Sequence, residues 1–371
     1  MEQHQPQKTH QNPPTPTKEV IFSDTNGLSD THTFLKSNAL TPLPQEALTK
    51  TWSRSLKWLY NINNCWLQAK RALIKNQNYD FSVSAELSIE LIALVEANPN
   101  GILLLSRTDQ LSSTLLSNGI RSMVRATLLS LGLQRPRLAI QHSVQGIFLL
   151  SLCYDSIPKP MISAALGHHQ WALDRTAQEL MRYRPLLAVE KTLAIPVLQI
   201  QREHAQFWIR RSHHTPEDFR SIPVDHQIIT ISMLSQFQES FSSPLEARRF
   251  LHKSRDRYFV SHLIYMTEEV TPLFPTGSLV QLENGRRGLV IEQNPSNGYR
   301  PLVSILDQEG LPEAGLSVQT SVSVLDLCAS ELCQHWIEVN SRHGMQWKSL
   351  MQSCIAHMSF KNRPSKKRNL H

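Results

Sequence analysis

The sequence predicts a mainly α-helical fold, in which a helical bundle is followed by a small antiparallel β-sheet. Apolar residues recur at helical spacing from Trp52 to Glu269. The pattern then changes to an alternation of period two between Ser278 and Leu306, which is typical of half-buried strands. With 371 residues, 40% of them hydrophobic, the chain is long enough to bury a full core.

The expected helices are separated by proline, glycine and asparagine signals. The first two run from Trp52 to Ile74 and from Leu87 to Val95, and the second is expected to end at a turn over 98–101. Tryptophans lie among leucines in these segments and in the C-terminal one, and they are expected to pack in a core: Trp52, Trp58, Trp66, Trp336 and Trp347. The helical pattern continues over 102–132, 138–154, 173–193, 195–211, 225–240, 244–253, 258–269 and 325–358.

Three strands are expected, over 278–283, 287–292 and 302–306. They are separated by Asn284-Gly285 and Asn297-Gly298, which are typical hairpin turns. The patterns divide the chain into six regions. These are a disordered tail (1–20), a helical lead-in (21–101), a helical domain (102–272), a β subdomain (273–324), a helical extension (325–358) and a basic tail (359–371).

Composition favours a cytoplasmic protein with reduced thiols. No apolar run reaches the roughly 20 residues that a membrane-spanning helix needs, so no membrane span is expected. The five cysteines are odd in number and scattered, which argues against a disulfide framework. The net charge is +7, but five positive charges lie between Lys361 and Arg368, and subtracting them leaves +2. The basic character is therefore mostly a property of the tail.

Four stretches of the sequence, taken in this order, resemble the motifs of a known family. They begin Leu149-Leu-Ser-Leu-Cys-Tyr-Asp, Glu179-Leu-Met-Arg-Tyr-Arg-Pro, Ile222-Pro-Val-Asp-His-Gln-Ile-Ile and Phe274-Pro-Thr-Gly-Ser-Leu-Val. The series resembles the HD-GYP family, bacterial phosphodiesterases of the HD superfamily that hydrolyse cyclic di-GMP. The resemblance covers about two-thirds of the chain and implies an HD-domain-like helical bundle.

The resemblance also implies that the metal site of the family is lost. Members hold two or three metal ions with histidine and aspartate side chains, because the ions polarise the phosphate and generate hydroxide. No histidine lies near 116–118, where the first ligand is expected. Other ligand positions fall on Tyr154, Arg184 and Met233, and the Gly-Tyr-Pro segment is absent. Only Asp155 and His204 remain as inherited catalytic or metal positions, so neither catalysis nor a resident metal is expected.

Two replacement metal sites remain open alternatives. His213 and His214 could join His204, Asp225 and His226 around zinc or iron, although adjacent histidines are more typical of solvated loops. A second formal ligand set consists of Cys328, Cys333, Cys354 and His357. Its cysteine spacing suits one helix face poorly, which favours buried, unliganded thiols.

Several arginines lie near the former ligand positions. If Arg121, Arg125 and Arg184 converge, they could hold a phosphate, such as cyclic di-GMP, without cleaving it. The alternative is that the arginines of this region are separate, solvated or salt-bridged side chains. The full set is Arg121, Arg125, Arg135, Arg137, Arg182, Arg184, Arg210 and Arg211.

Three functional hypotheses follow. The favoured one is a catalytically inactive signalling or protein-interaction module, with a signalling protein as partner and a role in cyclic di-GMP signalling. The second is a divergent phosphodiesterase that uses Asp155, His204 and a recruited iron, manganese or zinc ion. The third is an adaptor that binds nucleic acid or an anionic surface through the basic tail; nucleic acid is not the expected main partner.

Overall fold

The computed structural model describes residues 45–75, 77, 79–108, 114–155, 157, 164, 170–182, 204–209, 222–241, 244–255, 259–271, 274–282, 284–292, 300–319 and 322–323. The expected disordered tail (1–20), the helical extension (325–358) and the basic tail (359–371) lie outside the described residues. The statements on structure below refer to the described residues.

Most of the described residues are helical, which confirms the mainly α-helical fold. The helices are α1 (Gln45–Ile74), α2 (Ser82–Ala97), α3 (Pro99–Thr108), α4 (Thr114–Gly132), α5 (Arg137–Tyr154), α6 (Gln170–Arg182), α7 (Val224–Phe241), α8 (Pro244–Lys253) and α9 (Ser261–Val270). Residues 204–209 are also helical. The bounds of α8 coincide with the predicted ones, and those of α5 and α7 differ by one residue at one or both ends.

The junction of α2 and α3 differs from the prediction. A turn was expected over 98–101, but α3 already begins at Pro99. Proline suits the first position of a helix, since its ring presets the backbone angle and no N–H is needed there. The Asn98 side chain accepts a hydrogen bond from the backbone N–H of Asn100 at 3.0 Å and caps the new helix. The helix-breaking residues therefore mark a corner between two helices.

The sheet has two more strands than the sequence predicted. Its strands are β1 (Leu279–Leu282), β2 (Arg287–Glu292), β3 (Leu302–Leu306), β4 (Pro312–Gln319) and β5 (Val322–Ser323), in the spatial order β4-β3-β2-β1-β5. All neighbouring strands pair antiparallel. One face buries a small cluster of its own, formed by Phe274, Val280, Leu282, Val290, Val303 and Ile305.

The main core lies between the helices. Trp52, Trp58 and Trp66 of α1 are buried, as predicted, and the Trp58 indole donates to the backbone oxygen of Leu87 at 2.8 Å. This bond ties α1 to α2. Cys65 and Cys153 are buried free thiols; Trp336 and Trp347 lie outside the described residues.

None of the described helices is by itself long and apolar enough to cross a membrane. Helices α2 and α3 pass that test of length and composition only as a pair, and they bend by 114° at their junction.

The turn before β1 packs closely on α3. Thr276 donates to the Asn100 side chain at 2.8 Å. Gly277 has φ +89°, and a β-carbon there would lie 2.9 Å from Cδ of Arg107. Only glycine fits this left-handed position against α3 without strain. This close approach packs the start of the sheet against α3, beside the Arg107 side chain.

Candidate functional site

The first candidate region is a buried hydrogen-bond network at the end of α5. The Tyr154 hydroxyl lies 2.8 Å from Nε2 of His204, and it accepts a hydrogen bond from the Trp208 indole at 2.5 Å. Nδ1 of His204 lies 3.3 Å from the Thr230 hydroxyl on α7. We call Tyr154, His204, Trp208 and Thr230 the Tyr154 network. It joins α5, the helical segment 204–209 and α7 in the core.

The direction of each hydrogen bond in the Tyr154 network follows from its ends. Thr230 donates its proton to the His226 carbonyl at 2.8 Å, so its oxygen is left to accept from Nδ1–H of His204. Nε2 is then the unprotonated ring nitrogen, and it accepts the Tyr154 proton. The tyrosine oxygen in turn accepts from Trp208. This assignment satisfies every member with a neutral imidazole.

Burial keeps this imidazole neutral. His204 is 1% exposed, and the loss of solvent lowers its pKa from 6.5 to about 3. Its unprotonated Nε2 is the atom that a metal would bind, but that lone pair accepts the Tyr154 proton instead. In this arrangement His204 is a satisfied core side chain.

Asp155 faces a different partner. Its carboxylate forms an ion pair with Lys70 of α1, and its backbone N–H closes the last turn of α5 on the Ser151 carbonyl at 3.1 Å. The two positions that the resemblance predicts as remaining ligands therefore have separate partners, since Asp155 is paired with α1 and His204 is bonded to α5 and α7. Within the described part of the chain, no three His, Cys, Asp or Glu side chains are grouped so that they could hold a metal ion.

These residues do not fit the two- or three-metal centre that the resemblance implies. Such a centre needs His and Asp ligands with free lone pairs from several helices. Tyr154 stands at one predicted ligand position and donates its proton to the free nitrogen of His204, which stands at another. Lys70 forms an ion pair with Asp155, the carboxylate at the third. His213 and His214 lie outside the described residues, and Asp225 of the predicted replacement cluster is bonded to an arginine.

The second candidate region is a buried charged cluster. Glu239 of α7 accepts from Nη2 of Arg125 at 2.6 Å and from Nη2 of Arg107 at 3.3 Å. Arg107 also donates to the Ser278 hydroxyl at 2.6 Å, and Nε of Arg125 donates to the Thr271 hydroxyl at 2.8 Å. We call Arg107, Arg125 and Glu239 the arginine–Glu239 cluster. It links α3, α4, α7 and the approach to the sheet.

Opposing effects act on the carboxyl group of Glu239. Burial by itself would raise its pKa, but the charges of Arg125 and Arg107, and more weakly that of Arg121, together with the Arg125 hydrogen bond, hold the pKa below its usual value. Glu239 is therefore a carboxylate in the folded protein. Arg121 lies one turn before Arg125 on α4 and donates to the Asn118 side chain and to the Ser117 carbonyl.

The predicted basic run divides into two parts. Arg121 and Arg125 both lie near Glu239, but Arg135 makes a two-pronged ion pair with Asp225, with both distances 2.8 Å. Arg137 pairs with Glu96 on the surface at 2.7 Å. The expectation of separate salt bridges is thus confirmed for Arg135 and Arg137. Arg184, Arg210 and Arg211 lie outside the described residues, as does the side chain of Arg182.

Sequence reasoning missed the partners that define both regions. Arg107 and Glu239 are 132 positions apart, so no local pattern links them. Trp208 and Thr230 lie in stretches where the apolar spacing predicted only a helix. One clue was present: Arg107 and Glu239 are each a charged residue at the end of a strongly apolar stretch, where burial requires a partner of opposite charge.

Comparison with known proteins adds no relative. No protein-family model, no curated protein and no solved structure matches the chain.

Proposed function

We propose that this protein is a non-catalytic, HD-GYP-like signalling module of the cytoplasm, which acts by binding a partner or a phosphate ligand. The observation that carries the proposal is the hydrogen bond between Tyr154 and His204. Both residues stand at positions that the family resemblance assigns to metal binding. The lone pair of His204 Nε2, which would bind a metal, instead accepts the proton of the Tyr154 hydroxyl.

The polar contacts of Asp155 support the same conclusion. A metal ligand or general base needs a carboxylate that is open to the reacting group. The carboxylate of Asp155 is instead neutralised by Lys70 of α1. Phosphodiester hydrolysis at the inherited position would require breaking this ion pair and the Tyr154–His204 bond together.

A phosphate ligand is the binding chemistry that the basic side chains favour. Arginine binds phosphate through paired N–H donors. Each of the three guanidinium nitrogens of Arg125 already donates a hydrogen bond within the protein, to Thr271, Ser235 and Glu239. Arg121, one turn earlier on α4, is the candidate ligand contact that we test, and Arg184 remains a prediction from the sequence.

The test is calorimetric titration of the purified full-length protein with cyclic di-GMP, alongside an assay for its linear dinucleotide product. We expect either saturable binding without product or no interaction with the nucleotide. If binding occurs, Arg121→Gln should weaken it at least about tenfold, since a charged hydrogen bond to phosphate is lost. Arg137→Gln, on the exposed surface, is the matched control.

Turnover would overturn the proposal. The contradicting result is steady release of linear dinucleotide that is lost in both Asp155→Ala and His204→Ala. The thermal melting of each variant shows whether the loss comes from the chemistry or from unfolding.

A further inference from the structure

We draw no further inference here: the strongest candidate, the exposed face of the hairpin formed by α1 and α2 with the side chains of Ile74, Val83 and Ile89, carries none because nothing in the structure shows what covers it.

Discussion

The Tyr154 network and the arginine–Glu239 cluster are both buried and both anchored on α7, yet they satisfy polar groups in opposite ways. The Tyr154 network contains a group that could carry charge and keeps it neutral, through the lowered pKa of His204. The arginine–Glu239 cluster brings full charges into the core and pairs them. The difference shows that the position which the family resemblance assigns to a metal is occupied by neutral packing, while buried charge joins the elements around it.

Removing the carboxylate of the charged cluster should have the largest effect. Glu239→Gln leaves Arg107 and Arg125 buried beside a neutral amide, and breaking a buried ion pair costs about 3–5 kcal/mol. We expect the free energy of unfolding in urea to fall by that amount. Glu96→Gln is the control, because its partner Arg137 is exposed and such pairs contribute about 0–1 kcal/mol. If both variants lost the same free energy of unfolding, the cluster would stabilise the fold no more than a surface ion pair does.

A smaller effect is expected in the neutral network. Tyr154→Phe keeps the ring but leaves the Trp208 N–H and Nε2 of His204 without their bonds to the hydroxyl, which costs about 1–3 kcal/mol. Tyr60→Phe is the matched control, since Tyr60 is 68% exposed. Stability measured in urea should separate the two. An unchanged or increased stability in Tyr154→Phe would contradict a stabilising role for these two hydrogen bonds.

The smallest expected effect is a dependence of stability on pH. His204 has a folded-state pKa of about 3 against 6.5 in the unfolded chain, so the unfolded state binds more protons between these values. Its contribution is complete above pH 6.5 and decreases as pH falls towards 3. Between pH 7 and 5.5 the loss is on the order of 1 kcal/mol.

His204→Asn should remove this part of the pH slope, whereas His262→Asn, at an exposed position on α9, should keep it. The carboxyl of Glu239 contributes in the same direction, because its pKa is lowered, but only below its ordinary value of 4.5. Measurements at pH 5.5 to 7 therefore avoid the carboxyl of Glu239. Burial also lowers the pKa of His142, so the contribution of His204 is the difference between the slopes of the wild type and His204→Asn. A slope that persists in His204→Asn would place its origin elsewhere.

The sequence predicted the elements of the fold well where local signals are strong. The apolar spacing of α5, α7 and α8 and the Asn284-Gly285 turn between β1 and β2 depend on neighbouring residues alone. Strand β4 was missed because Pro312 and Gly315 interrupt its alternation. It forms because β3 offers a free edge, which is a property of the assembled sheet.

The two candidate regions were only partly predictable. The sequence pointed to Tyr154, His204, Arg121 and Arg125 through the family resemblance and the arginine spacing. The choice of partners was not accessible, since the Tyr154 hydroxyl could face a metal, solvent or another side chain. Arg107 and Glu239 meet where the turn at Gly277 packs against Arg107 on α3. Contacts between residues so far apart in sequence exist only in the folded chain.

We propose above that the position which the family resemblance assigns to a metal is a neutral hydrogen-bonded network instead. Metal content of the purified full-length protein, measured together with its turnover of cyclic di-GMP after incubation with iron, manganese or zinc, tests it most directly. Our account predicts well under one metal ion per chain and no linear dinucleotide. Stoichiometric metal, with turnover lost in Asp155→Ala, would contradict it.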